Sequence, residues 1–198
     1  TLNLSLSKVR DISLITTPPT GRKSVKTIVS RYSKSLVFEA IQREFYRDGQ
    51  VFYLLNNVSM LEEKKKEISD RFPEKKVAFA HGQLRPKELS KVMESFIRKE
   101  IDLLVCTTII ESGIDIENAN TLIVEESENY GLSQLHQIRG RVGRSKREAY
   151  AYFFLNENKK LKNKALERIE ALQENESLLS GFSLAMRDLE IRGAGELL

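Results

Sequence analysis

Six short runs of apolar, largely β-branched residues recur along this chain, separated by stretches with helical spacing. The runs are Val25–Ser30, Val51–Leu55, Val77–Ala80, Ile101–Cys106, Thr121–Val124 and Tyr150–Leu155. The helical patterns are Leu36–Tyr46, Leu61–Arg71, Lys87–Ile97 and Ser133–Val142. Inside the runs, the apolar residues are nearly continuous rather than strictly alternating with polar ones. That is the signature of strands buried on both faces. Strand and helix alternating at this spacing predict βαβ units, hence an α/β fold: three layers, α/β/α, around a mostly parallel sheet.

The ends follow other rules. Residues 1–22 lack a period and finish in Thr16-Thr-Pro-Pro-Thr-Gly21, a sequence that breaks helix and strand alike. They are expected to be the end of a preceding domain and a connector, with the main domain over 23–156. From 157 to 198 a helical hairpin is expected, with helices near Leu161–Gln173 and Leu178–Leu189. Leu178, Leu179, Phe182, Met186 and Leu189 fall on one stripe, and Ser177 is placed to cap it. The loop Arg192-Gly-Ala-Gly195 follows. Because the chain starts at Thr1 and ends just after this loop, both ends are expected to be cut from a longer protein.

Composition excludes several classes. A single cysteine, Cys106, rules out an intrachain disulfide or a cysteine-based metal site. In its apolar run it reads as a small buried residue rather than a reactive thiol. No apolar stretch has the length of a membrane span, so no membrane partner is expected and a cytoplasmic location is. The net charge of +4 is too small to argue for nucleic acid by itself.

Local clustering says more. Gln137-Ile-Arg-Gly-Arg-Val-Gly-Arg144 and Lys146 gather four cations and two glycines with no acidic residue. Arginine suits planar, bidentate phosphate recognition, and glycine lets backbone approach closely. Arg141 and Arg144 are therefore candidate catalytic cations for phosphoryl transfer, which depends on positioning and charge neutralisation. The chain has no GxxxxGK[ST] phosphate cradle and no acidic magnesium motif after a strand. No metal ligand set is assigned. The economical expectation is half of a two-domain motor, inactive alone, whose other half holds ATP and Mg2+.

In parallel sheets, ligands sit beyond the carboxyl ends of the strands. Candidate loops there contain Asn56 and Asn57, His81-Gly82-Gln83, and Thr107-Thr108 leading to Glu111-Ser-Gly113-Ile-Asp115. The arginine segment, reached from Val124 through Glu125–Gly131, is expected at the same mouth. Thr107 and Thr108 suit either a helix cap or a phosphate contact. Gly113 and Asp115 suit a plain turn or a ribose contact. His81 suits a structural role as well as a binding one, and Arg85 and Lys87 suit a nucleic-acid backbone or solvent. His136 has no evident nucleophile or metal partner.

These motifs carry a resemblance. Gln137-Ile-Arg-Gly-Arg-Val-Gly-Arg144 resembles motif VI of the superfamily 2 helicases and translocases, and Val105–Asp115 resembles their motif V. Gln50–Asn57 and Ala80–Gln83 look like motif IV and its companion. The resemblance implies the second RecA-like (P-loop NTPase-type) motor domain. The closing segment Gly181–Leu198 is similar to the translocation motif of bacterial transcription-repair coupling factors and RecG-type helicases, and Ala194 in Arg192-Gly-Ala-Gly195 looks more like the former.

The resemblance assigns Arg141 and Arg144 to ATP phosphates, with Gln137, Gly113 and Asp115 beside the nucleotide. It assigns Thr107 to a DNA phosphate. Asn57, His81, Gly82, Arg85 and Thr108 are expected to face DNA with it. Arg187, Arg192, Gly193 and Gly195 fall in the translocation motif. It further implies an ATP-dependent translocase on double-stranded DNA that displaces stalled RNA polymerase and couples transcription to nucleotide excision repair. ATP and Mg2+ would be bound mainly by a first RecA-like domain, and none by this chain alone. RNA polymerase and excision repair proteins would be met through other regions. The alternatives are a RecG-type fork-remodelling motor domain and a catalytically silent RecA-like nucleic-acid-binding module.

Overall fold

The structure is a computed structural model, and it describes residues 24–108, 118–145, 147–158, 167, 171 and 172. Six strands build one sheet: β1 Val25–Arg31, β2 Gln50–Leu54, β3 Val77–Ala80, β4 Leu103–Cys106, β5 Ala119–Val124 and β6 Ala149–Leu155. Their order is β1-β6-β5-β2-β4-β3, and every pair is parallel. Among the described residues, four complete α-helices cover it: α1 Lys34–Tyr46, α2 Leu61–Arg71, α3 Pro86–Ile97 and α4 Leu132–Arg139.

The apolar runs become strands because they are covered on both faces. In β2, Val51 and Tyr53 face the core shared with α1 and α2, while Phe52 and Leu54 face the core shared with α3 and α4. The same two-residue alternation divides β4 into Leu103 and Val105 against Leu104 and Cys106. All four β4 residues are fully buried. Each such Leu or Val contributes about 1.5–3 kcal/mol to burial. The outer strands β1 and β3 are less covered, as edges are. The three-layer α/β/α expectation is thus met over these residues.

Helix α1 buries Val37, Ala40, Ile41, Glu44 and Phe45, a stripe at i, i+3, i+4, i+7 and i+8. A carboxylate, Glu44, occupies one position of that stripe with no exposed surface. Helix α3 begins with Pro86 in its first turn, where a missing N–H costs nothing.

Helix α4 is shorter than its sequence pattern suggests. It stops at Arg139 with Gly140 as its cap instead of running to Val142. Gly143 then takes φ +75°, a left-handed conformation that ends any helix. Residues 1–22, Ser177 and the stripe Leu178–Leu189 lie outside the described residues. Of the expected hairpin helices, Glu167, Ala171 and Leu172 are described; all three are helical, and Ala171 and Leu172 pack into the α3/α4 core. Among the described residues no helix is long and apolar enough to cross a membrane.

Candidate functional site

The candidate residues fall on opposite edges of the sheet. At the carboxyl edge, the order β2-β4-β3 sets the loops bearing Asn57, Thr107 and His81 in one row. The Thr107 N–H donates to the Ala80 carbonyl (3.3 Å), tying the loops after β4 and β3 together. Asn57 is exposed and caps a short 3-10 turn, Val58–Met60, its Oδ1 accepting from the Ser59 N–H (3.1 Å) and Oγ (2.8 Å). His81 is half-buried, its ring parallel to that of Phe79 with centroids 6.1 Å apart. Gly82 and Arg85 are exposed, and Thr107 and Thr108 are half-buried.

Beside this row lies a cluster that the motifs do not predict. The Tyr53 hydroxyl donates to Glu125, and Lys64 Nζ reaches Glu125 Oε1 (2.9 Å), Glu67 Oε2 (2.9 Å) and Tyr32 (3.1 Å). Burial opposes the charge on Lys64, but Glu125 and then Glu67 and Tyr32 outweigh it and hold its pKa above the ordinary lysine value. Burial, followed by the charge of Glu125, raises the Tyr53 phenol well above its usual value. The cluster joins α2 to the ends of β1, β2 and β5.

The arginine segment is not at that mouth. A Cβ added to Gly143 would lie 2.9 Å from Val25 Cγ2 and 3.0 Å from Ala149 Cβ. Val25 and Ala149 are the paired first residues of β1 and β6. Ser145 Oγ donates to Asn120 Oδ1 (2.8 Å) near the start of β5. The expectation of a shared mouth is therefore corrected. Helix α4 starts beyond the carboxyl end of β5 and carries the chain back, so Arg141 and Arg144 emerge at the amino edge. The seven residues of β6 span about 20 Å between the two edges.

The four cations of the segment also divide. Arg139 is only 5% exposed. Its Nη1 donates to Thr27 Oγ1 (3.3 Å) and to the Leu172 carbonyl (2.9 Å). It belongs to the packing. Arg141 and Arg144 are half-buried, and Gln137 is exposed on α4. His136, on the same helix, is pushed down to about 4 by burial and then by the Arg139 charge.

Gly113, Asp115, Lys146, Arg187, Arg192, Gly193 and Gly195 lie outside the described residues. The chain is at the carboxyl edge at Thr107 and at the amino edge at Asn118, whose carbonyl accepts from the Gln50 N–H. Among the described residues, no group of three or more His, Cys, Asp or Glu is arranged to hold a metal ion. Cys106 is buried, and burial raises its thiol pKa. That agrees with the reading of an inert core residue.

Known proteins resemble this chain throughout. It is 52% identical over all 198 residues to the transcription-repair-coupling factors of Staphylococcus haemolyticus and of Staphylococcus aureus (strain USA300). It spans 17% of the length of these curated relatives. The solved structure of RecG bound to a three-way DNA junction superimposes with a TM-score of 0.77 at 36% identity, covering 91% of this chain and 24% of that one. The C-terminal domain of S. cerevisiae Dbp5 shares the fold, with a TM-score of 0.56 at 15% identity over 77% of this chain and 84% of that one. Residues 34–146, more than half of the sequence, match the family described as "Helicase conserved C-terminal domain". The chain belongs to that family of helicase C-terminal domains.

Proposed function

We propose that this chain is the second RecA-like motor domain of an ATP-driven double-stranded DNA translocase, one that displaces stalled RNA polymerase and couples transcription to nucleotide excision repair. The observation that carries this reading is the 52% identity to transcription-repair-coupling factors along the whole chain. In this reading residues 1–22 end the first motor domain, 23–156 form the second, and 157–198 begin the translocation element. The longer protein works in the cytoplasm and meets RNA polymerase and repair proteins through its other regions.

The two-edge geometry supports a division of labour. Arg141 and Arg144 act from the amino edge on the phosphates of an ATP whose cradle and Mg2+ belong to the first motor domain. Gln137, Gly113 and Asp115 lie beside that nucleotide. The arginines neutralise charge that develops on the phosphoryl group, and the chain alone turns over negligible ATP. Asn57, His81, Gly82, Arg85, Thr107 and Thr108 face DNA from the carboxyl edge. Their contacts are to phosphates, so binding is independent of sequence and weakens with salt. Arg187, Arg192, Gly193 and Gly195 transmit the nucleotide state to the DNA track. Arg139, bonded to the Leu172 carbonyl, supports a route from the arginine segment toward that region.

A RecG-type fork-remodelling motor is the second reading, favoured by the TM-score of 0.77 but at the lower identity of 36%. A triplex-displacement assay tests motion on duplex DNA. The full-length protein is expected to displace the third strand only with ATP, and Arg192→Ala to keep most ATP hydrolysis while losing displacement. Absence of ATP-dependent displacement by the full-length protein overturns the translocase reading. Release of stalled polymerase without fork regression separates the first reading from the second.

A further inference from the structure

The chain just after Arg144 is fastened to the end of α1 by residues that no motif includes. Arg47 caps α1. Its Nη2 bonds the carboxylate of Glu44, and its Nη1 donates to the Glu148 carbonyl (3.0 Å). In return, Arg147 Nη1 donates to the Arg47 carbonyl (2.5 Å). Glu44 is fully buried and also accepts from Thr121 Oγ1 (2.5 Å), so Arg47 is held from the core.

Other bonds fix the same stretch. Ser145 is bonded to Asn120, and the Arg147 N–H donates to Ser145 Oγ (3.2 Å). Tyr150 donates to Glu148 Oε2 (2.9 Å) and accepts from Arg43 (2.7 Å). The guanidinium of Arg47 also stands 5.2 Å from the centre of the Tyr150 ring. On the other side of Arg144, Gly143 is wedged against Val25 and Ala149. The backbone of Arg144 therefore sits between two fixed points.

We propose that Arg47 is a positioning residue for Arg144, holding it where it meets the transferred phosphoryl group; this rests on the reading that Arg144 acts on the nucleotide. A charge-stabilising group placed about 1 Å wrong loses on the order of 100-fold in rate. A long, flexible arginine reaches that precision only when the chain beneath it is fixed. The planar fork of Arg47 meets a carboxylate and a carbonyl at once. The single ammonium of a lysine does not reproduce that geometry.

The test is a mutant cycle on ATP turnover in the full-length protein. Arg47→Ala is expected to lower kcat about 10–100-fold, with the KM for ATP and the affinity for duplex DNA little changed. Arg47→Lys is expected to restore little of it. Arg147→Ala, on the exposed side of the clamp, is expected to act in the same direction. The double variant Arg47→Ala/Arg144→Ala is expected to be no slower than Arg144→Ala alone, because Arg47 acts through Arg144. A double variant slowed by the product of the two single effects overturns the proposal, as does a normal kcat in both Arg47→Ala and Arg147→Ala. If Arg144→Ala itself turns over ATP normally, the nucleotide role of Arg144 fails and this proposal falls with it. Collapse of Arg144→Ala beside normal Arg47 and Arg147 variants overturns this proposal alone.

Discussion

Arg139 Nη1 lies 2.9 Å from the carbonyl oxygen of Leu172, a buried hydrogen bond between residues 33 positions apart. It fastens the last turn of α4, next to the arginine segment, to the chain beyond β6. A buried guanidinium stripped of such partners, or a carbonyl left without its donor, is costly. Arg139→Ala is expected to lower stability by about 2–3 kcal/mol, seen as a lower urea midpoint. Arg139→Lys is expected to recover less than half of that. An unchanged midpoint in Arg139→Ala contradicts the packing role.

His136 sets the sign of one pH dependence. Its folded-state pKa is pushed from 6.5 down to about 4, by burial first and Arg139 second. Between these values the unfolded chain takes up a proton that the folded chain refuses. The contribution of His136 is therefore full above pH 6.5 and is lost as the pH falls toward 4. His136→Gln is expected to flatten the difference between urea midpoints measured at about pH 7.5 and about pH 5. An equally steep pH dependence in that variant argues against it.

Two glycines are required by their surroundings. Gly143 has φ +75°, and a Cβ there meets Val25 Cγ2 at 2.9 Å. Gly143→Ala is expected to cost at least about 1–2 kcal/mol from the backbone conformation alone, and to slow ATP turnover by moving Arg144. At Gly49 a Cβ would collide with the buried carboxylate of Glu44. Gly49→Ala is thus expected to displace Glu44 from Thr121 and Arg47. Thermal unfolding of both variants checks this, and melting temperatures equal to wild type contradict it.

The strands and helices were legible because their pattern is local: continuous apolar runs for buried strands, and a stripe such as Val37, Ala40, Ile41 and Phe45 for α1. The edge on which Arg144 emerges was not legible. It depends on where α4 ends, and the apolar Val142 extended the helical pattern past Arg139. The glycine-rich turn was visible, but its direction across the sheet is a tertiary fact. The separate fate of Arg139 was equally hidden, since its partners Thr27 and Leu172 are distant in sequence. The Arg47–Glu148 clamp left one trace. Glu44 is a carboxylate on a core-facing stripe, and a buried charge requires a partner.

In the proposed division of labour, the arginine segment completes a nucleotide site from one sheet edge while DNA is held at the other. ATP turnover and duplex DNA affinity, measured together on the full-length Arg144→Ala variant, test this division. Turnover is expected to fall by about 10³–10⁵ while duplex affinity and its salt dependence stay near wild type. Near-normal ATP hydrolysis, or a loss of DNA affinity as large as the loss of turnover, would contradict it.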